Sequence, residues 1–408
     1  MSKEYKQLSE LGKIVTGKTP STTNSEYWDG DIPFITPTDI NGYDTFYQTQ
    51  TERSVSELGA SKQKKTILPP NSICITCIGS TIGKPCVTKV SSITNQQINS
   101  IVPNKCNDFR YIYYLIRENL AYLQLIGGGS GSGTPIISKN KFAKFKFLVE
   151  NNLESQCRIA SILSAYDNII ENNNKRIRLL EQMVENLYKE WFVRFRFPGH
   201  EKVEFENGLP KEWSIMKLGV FIKFERGVGY GSKDIEDGEN VLLSMNNIRP
   251  YGGFIRDYSR PYSGKYKEFQ KVRKGDLIMS ITDMTQDRRI IGYTGIVPPG
   301  KDNRIICTHL IKLSSEISHT YFLNGLFNYS NLSRIIAERA TGANVLGLTA
   351  DILKGVKTLL PPTELQSMYV TKVTPIIEEC FSLQDANDNL ARQRDLLLPR
   401  LMSGKLEV

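Results

Sequence analysis

The sequence predicts an α+β protein in which one unit is built twice: a globular block and a long helix, then a second block and a second helix. Three observations carry this reading. Short strings recur in the same order at an offset near 204–210 residues. Each block is followed by apolar residues at alternating steps of three and four. The excess positive charge belongs to the two blocks.

The 408 residues leave room for roughly two to three domains, each able to bury its own core. The first block, residues 1–150, opens with Leu8-Ser9-Glu10-Leu11-Gly12 and continues with Phe34-Ile35-Thr36-Pro37-Thr38-Asp39-Ile40. It then enters an apolar strand, Ile73-Cys74-Ile75-Thr76, through the turn residues Pro70-Asn71. The second block, 197–361, repeats the series as Ile215 to Gly219, Leu242 to Ile248 and Val272 to Ser280, with Gly275-Asp276 at the turn. Such turn residues bounding an apolar run mark strands. Identity is low, but order and pattern hold. A polar break with a Gln-bearing helix start closes each block, at Asn151 to Gln156 and at Pro361 to Gln366.

Residues 151–196 and 362–408 are the helical segments. In the first, Ile159, Ile162, Tyr166, Ile169, Ile177, Leu180, Val184, Leu187 and Trp191 trace a coiled-coil seam interrupted by Asn173. In the second, Tyr369, Val373, Ile376, Cys380, Leu383, Leu390, Leu397 and Leu401 do the same, with Asn387 and Arg394 on the seam. About five heptads exceed what a single domain face requires, so the helices are expected to pack on each other. Polar seam residues would fix their register at some cost in stability. Pro375 is the awkward residue and is expected to kink its helix.

The formal charge is +9. Residues 1–150 carry 17 Lys+Arg against 12 Asp+Glu, and 197–361 carry 23 against 18, a net +5 in each; the helical segments come to +1 and −2. Basic blocks suit a polyanion, and neutral helices suit protein contacts. Seven Cys without regular spacing point to a reducing, cytoplasmic setting. No stretch approaches the roughly 18 apolar residues of a membrane span, and the opening residues carry no apolar run of the signal-sequence kind.

Several strings look chemical. Gly12-Lys13-Ile14-Val15-Thr16-Gly17-Lys18-Thr19 fits the phosphate-cradling pattern, which needs a buried strand before it and a helix opening at the Lys. Its context, with Pro20 and a polar run following, reads as loop, and Gly219 to Gly227 in the second block lacks the motif. Gly79 to Lys84 is one residue short of that pattern, and the tract Gly127 to Gly133 suits a tether or a loop that orders on a ligand. Cys74-Ile75-Thr76-Cys77 lacks a second ligand pair for zinc, and strand alternation turns its sulfurs to opposite faces. No Ser/His/Asp, Cys/His, methyltransferase or nuclease constellation surrounds His200, His309 or His319. A non-catalytic chain with no metal or cofactor of its own is expected. The alternatives are a nucleotide-binding enzyme using Gly12–Thr19, or a coiled-coil adaptor that binds no nucleic acid.

Thr16-Gly17-Lys18-Thr19-Pro20, Gly30-Asp31-Ile32-Pro33-Phe34 with Asp39, Thr94-Asn95-Gln96-Gln97-Ile98, the helix ending Asn186 to Phe192, and Leu396 to Gly404 together resemble the specificity (S) subunit of Type I restriction-modification systems. The resemblance covers essentially the whole chain. It departs in the second block, where Gly227-Val228-Gly229-Tyr230 replaces the GKTP-like loop and Asp283 to Arg289 lengthens another. The resemblance implies two target recognition domains in tandem, each reading one half of a bipartite site in double-stranded DNA. It implies that the long helices pair as an antiparallel coiled coil, set the spacing and bind two methyltransferase subunits, with restriction/translocase subunits joining. S-adenosylmethionine, ATP and Mg would then sit on those partners. Gln156 to Phe192 is 37 residues, roughly 55 Å of helix, or on the order of 16 base pairs.

Within this frame Lys18, Thr19, Lys84, Arg226, Lys233, Arg288 and Arg289 are candidates for phosphate contacts. Thr38, Asn41, Gln96, Gln97, Asn246, Asn247, Arg249 and Gln286 are candidates for base edges. Tyr188, Trp191, Phe192, Leu397 and Leu401 are candidates for partner contacts on the helices.

Overall fold

The computed structural model describes residues 3–40, 46–127, 135–256, 258–300 and 303–407. The chain divides into two compact units, Met1–Lys175 with Gln384–Val408, and Arg176–Leu383. Each unit therefore holds one globular block and one end of each long helix.

In the first unit, Lys3–Gln7 pairs antiparallel with Lys146–Glu150 and ties the block's two ends together. Between them lies a five-stranded sheet in the order Gly12–Thr16, Ile98–Pro103, Ile73–Thr76, Pro85–Thr88, Tyr47–Gln48. A three-stranded sheet sets Trp28–Ile35 between Arg53–Val55 and Ile93–Thr94. Strand Ile73–Thr76 is buried throughout, with both its faces covered. Ile73, Ile75 and Cys77 pack with Tyr111, Tyr113 and Tyr114, whereas Cys74 packs with Val15, Ile35 and Ile98. The two Cys of the C-x-x-C string thus lie on opposite faces.

The second unit rebuilds this plan. A four-stranded sheet runs Lys223–Arg226, Leu310–Ser314, Leu277–Ser280, Thr294–Ile296, and Ser214–Lys217 closes on Lys357–Leu360. The repeat holds bond by bond. The turn residues Asn71 and Gly275 both sit at positive φ, 65° and 88°, where Asn and Gly carry the least strain. The Asn71 amide donates to the Thr88 carbonyl and the Gly275 amide to that of Val297. At the helix starts, the Gln156 side chain donates to the Glu150 carbonyl and that of Gln366 to the Pro361 carbonyl.

The first long helix is Leu153–Tyr188, extended by one π turn over Lys189–Val193. The second, Thr363–Ser403, is continuous. Pro375 therefore does not break it, although its missing N–H leaves the Thr371 carbonyl without the usual helical donor. In the first unit Ile159 and Leu163 pack with Leu398, Leu401 and Met402. In the second, Tyr188 and Trp191 pack with Leu365 and Tyr369. The start of each helix meets the end of the other, the antiparallel arrangement. A polar cluster lies in the first unit's interior. Arg394, 1 % exposed, donates to Asp167, which also accepts from the Tyr114 hydroxyl, and Arg117 reaches Asp395 at 3.0 Å. Removing one partner from such a buried pair costs about 3–5 kcal/mol.

Candidate nucleic-acid interface

Strand register decides which loops can meet. In the first unit Thr16, at the end of its strand, stands opposite Asn99, and Thr76 opposite Ile98. The loops that follow Thr16 and Thr76 and the one that precedes Ile98 therefore leave the same end of the sheet. Parallel pairing of Ile35 with Thr94 brings the loop after Ile35 to the same edge, where the Asn95 amide donates to the Ile35 carbonyl at 3.2 Å. Four loops converge.

Side chains lock them. The Thr19 hydroxyl donates to the Gln96 side chain at 2.7 Å, and the Cys77 amide donates to the Gln97 carbonyl at 2.8 Å. Asp39 accepts from the Thr36 amide at 2.7 Å and from the Glu52 amide at 2.8 Å, fixing the loop that carries Thr38. The Trp28 indole donates to the Ser21 carbonyl at 3.1 Å and pins the far side of the Lys18 loop. Gly17 is obligatory: a Cβ there would stand 2.2 Å from the Asn95 carbonyl oxygen. Lys18 is exposed, Lys84 is half-buried in the adjoining loop, and neither has an ion-pair partner among the described residues. Asn41 lies outside the described residues, as do residues 128–133 of the Gly-rich tract.

This geometry overturns the nucleotide-binding reading. Gly12–Thr16 is itself a strand, no helix opens at Lys18, and the next helical turn is the three-residue Ser25–Tyr27. A phosphate cradle needs the loop and helix in those places.

The second unit brings the matching loops together. The Gly227 amide donates to the Leu310 carbonyl as the Gly17 amide donates to that of Ile98, and Cys307 to Leu243 as Asn95 to Ile35. A Cβ on Gly227 would lie 2.1 Å from the Cys307 carbonyl oxygen. The Ser244 amide donates to the Asn247 side chain at 2.8 Å, the counterpart of Thr36 and Asp39. The loop between Ser280 and Tyr293 is longer than its counterpart between Thr76 and Lys84, and is held by Thr282–Asp283 pairing with Leu346–Gly347. Segment 341–347, which carries no signal in the sequence pattern, thereby joins the cluster.

Several candidates change role. Asn247 is fully buried, and its amide donates to the Ile255 carbonyl at 2.9 Å, so it shapes the loop and offers nothing to a base. Arg249 donates to the Gly252 carbonyl and pairs with Glu181 at 3.1 Å. Gln286 donates to the Ala343 carbonyl, Arg289 pairs with Asp287 at 2.6 Å, and Arg226 donates to the Thr308 carbonyl. Lys233, Asn246 and Arg288 are exposed with side chains unengaged among the described residues. On the helices, Tyr188, Trp191, Phe192 and Leu401 are buried within the chain's own cores, and Leu397 is half-buried against one of them. Their apolar faces, expected to meet a partner, are packed inside the chain.

Among the described residues, no group of three or more His, Cys, Asp or Glu is placed to hold a metal ion, and no helix is long and apolar enough to cross a membrane. Burial pushes the Cys77 thiol up to about 11, although Asn99 opposes the shift, and such a thiol is not a nucleophile at neutral pH.

Comparison with known proteins agrees with these geometries. A family model described as Type I restriction modification DNA specificity domain matches residues 2–182. The chain is 27% identical over 418 aligned residues to the Type I restriction enzyme MjaIX specificity subunit of Methanocaldococcus jannaschii, covering 99% of this chain and 94% of the relative. It is 33% identical to the HindI specificity subunit of Haemophilus influenzae over 180 residues, 44% of this chain and 38% of that one. The solved Type I restriction-modification S subunit from M. genitalium superposes with a TM-score of 0.58 at 15% identity, over 98% of this chain and 96% of that one, and so shares the fold.

Proposed function

Since the chain belongs to the family of Type I restriction-modification specificity subunits, whose role is DNA recognition, we propose that each globular block reads one half of an asymmetric bipartite site in double-stranded DNA. The observation that carries this is the repeated loop cluster. The same backbone bonds around Gly17 and Gly227 present two different sets of side chains. An identical scaffold with divergent tips is what reading two different half-sites demands.

In this reading the paired helices set the distance between half-sites and bind two methyltransferase subunits, with restriction/translocase subunits completing the assembly. The buried aromatics cannot meet a partner, so that contact falls to exposed apolar residues one helical turn apart, Leu179 and Met183, 62% and 55% exposed. The chain itself turns nothing over; S-adenosylmethionine, ATP and Mg act on the partner subunits. Lys18, Lys84, Lys233 and Arg288 meet phosphates, while Gln96, Gln97, Thr38 and Asn246 lie at the base-facing loops.

The test is to map methylated adenines in cells that carry this chain and its methyltransferase, then to replace residues 1–150 with another reader. One half of the motif should change and the other persist. Change in both halves, or in neither, defeats the two-reader arrangement.

A further inference from the structure

Gln96 and Gln97, candidates for base edges in the first block, have counterparts in the second. The backbone supplies the match. The Cys77 amide donates to the Gln97 carbonyl at 2.8 Å, and the Ile281 amide donates to the His309 carbonyl at 3.0 Å. The next residue opens the same strand in both units, Ile98 and Leu310, each accepting from the invariant-geometry glycine, Gly17 or Gly227. His309 therefore occupies the place of Gln97, and Thr308 that of Gln96.

We infer that His309 is a specificity-determining residue of the second reader, presenting its imidazole to a base edge; this rests on the DNA-reading function proposed above. Three features support it. The ring is half-buried, so it is positioned by the protein and still open on one side. Its Nδ1 lies 3.1 Å from the Thr282 hydroxyl, and that hydroxyl also lies 3.7 Å from the Met245 sulfur. These contacts draw on three of the converging loops and fix the ring's orientation. No described residue bonds Nε2, which remains the ring's free polar atom.

The neighbouring hydroxyl could suggest catalysis, since Thr282 and His309 form a hydroxyl–imidazole pair. A hydrolytic pair needs a carboxylate or carbonyl orienting the other ring nitrogen, and none of the described residues supplies one. Recognition fits better. Gln97 offers a base both a donor and an acceptor through its amide; His309 offers one atom whose sense is set by the hydroxyl's. Where the hydroxyl gives its single proton to Nδ1, Nε2–H donates and matches the N7 and O6 acceptors of guanine; where that proton goes to the Met245 sulfur, Nδ1–H donates to the hydroxyl and Nε2 accepts, matching the amino group of adenine or cytosine. The two readers thus ask different questions of a base at equivalent positions.

The experiment uses the full chain reconstituted with its methyltransferase and compares the adenine-methylation motif of wild type, His309→Ala and His309→Gln. His309→Ala should relax one base position in one half of the motif, lowering discrimination there roughly tenfold or more, while the other half stays fixed. His309→Gln, which retains a polar tip and carries the test if the alanine chain folds poorly, should shift the preferred base at that same position. A motif unchanged in both variants overturns the role of His309 even where replacing residues 197–361 changes one half. A wild-type complex that methylates without a defined motif overturns the DNA-reading function as well.

Discussion

Asn173 and Asn387, one from each long helix, are buried against each other in the first unit. The Asn173 amide donates to the Asn387 oxygen at 2.9 Å, and the Asn387 amide donates to Asn174, also at 2.9 Å. Two apolar residues would pack there without the cost of burying amides, so the pair contributes alignment more than stability. Asn387→Leu strands the Asn173 amide and should lower stability by about 1–3 kcal/mol in urea unfolding. Asn173→Leu combined with Asn387→Leu should recover most of that loss, because both polar groups then leave together. The double variant should also loosen helix register, so its methylation map should show more than one spacer length. A single unchanged spacer would deny the pair its aligning role.

Gly17 and Gly227 are equivalent in position and predict separable failures. A Cβ at either would meet a backbone carbonyl oxygen at about 2.2 Å or less, a clash with main chain that no rotamer relieves. Gly17→Ala should spoil recognition of one half-site and Gly227→Ala of the other. Each should cost about 1–3 kcal/mol of stability through local overpacking, visible as a fall in thermal midpoint. Competition binding with DNA scrambled in one half at a time distinguishes them. Equal loss on both halves from either substitution would show that the glycines serve the fold alone.

Much of this design was legible in the chain. The doubled order, the turn residues Asn71 and Gly275, and the seam with Asn173, Asn387 and Arg394 on it all follow from periodicity and turn chemistry. What escaped has one cause: loop contacts depend on which strand ends lie together, and register is a long-range property. Asn247 looked like a free amide, yet it substitutes for Asp39 as the loop's internal acceptor. His309 was visible as an isolated His, and the pairing of Ser280 with Leu310 and of Arg226 with Ile311 reveals its post. Aligning Ile306-Cys307-Thr308-His309-Leu310 on Thr94-Asn95-Gln96-Gln97-Ile98 would have found it. The aromatics Tyr188, Trp191 and Phe192 were misassigned because an apolar seam does not say whether its partner is internal.

That distinction yields a contrast between two helix faces. Trp191 packs against Phe192 and Tyr369 in the second unit's core, so Trp191→Ala should cost about 3–5 kcal/mol. Leu179 and Met183 face solvent, so Leu179→Asp with Met183→Asp should leave the thermal midpoint within about a degree or two, as surface changes generally do. The same double substitution should weaken assembly with the methyltransferase at least tenfold in sedimentation or titration. Normal assembly would move the partner surface elsewhere on the helices.

Acid sensitivity should centre on Asp108. Its carboxylate caps helix Phe109–Glu118 by accepting from the Arg110 amide at 2.8 Å and the Tyr111 amide at 3.2 Å, and it pairs with the Arg110 guanidinium at 2.8 Å. Burial alone would raise its pKa, but Arg110 and the capped amides outweigh burial and hold it below the ordinary carboxylate value. The ionised form therefore favours the fold. Its contribution is complete above the unfolded value near 4 and disappears as pH falls through the lower folded value. Asp108→Asn keeps a capping oxygen and removes the charge, so it should cost about 1 kcal/mol at pH 7. The gap between variant and wild type should close as pH falls below about 4. Thermal midpoints for both proteins across pH 3 to 8 decide this: parallel curves would place the acid-labile group elsewhere, and convergence at low pH assigns it to the cap.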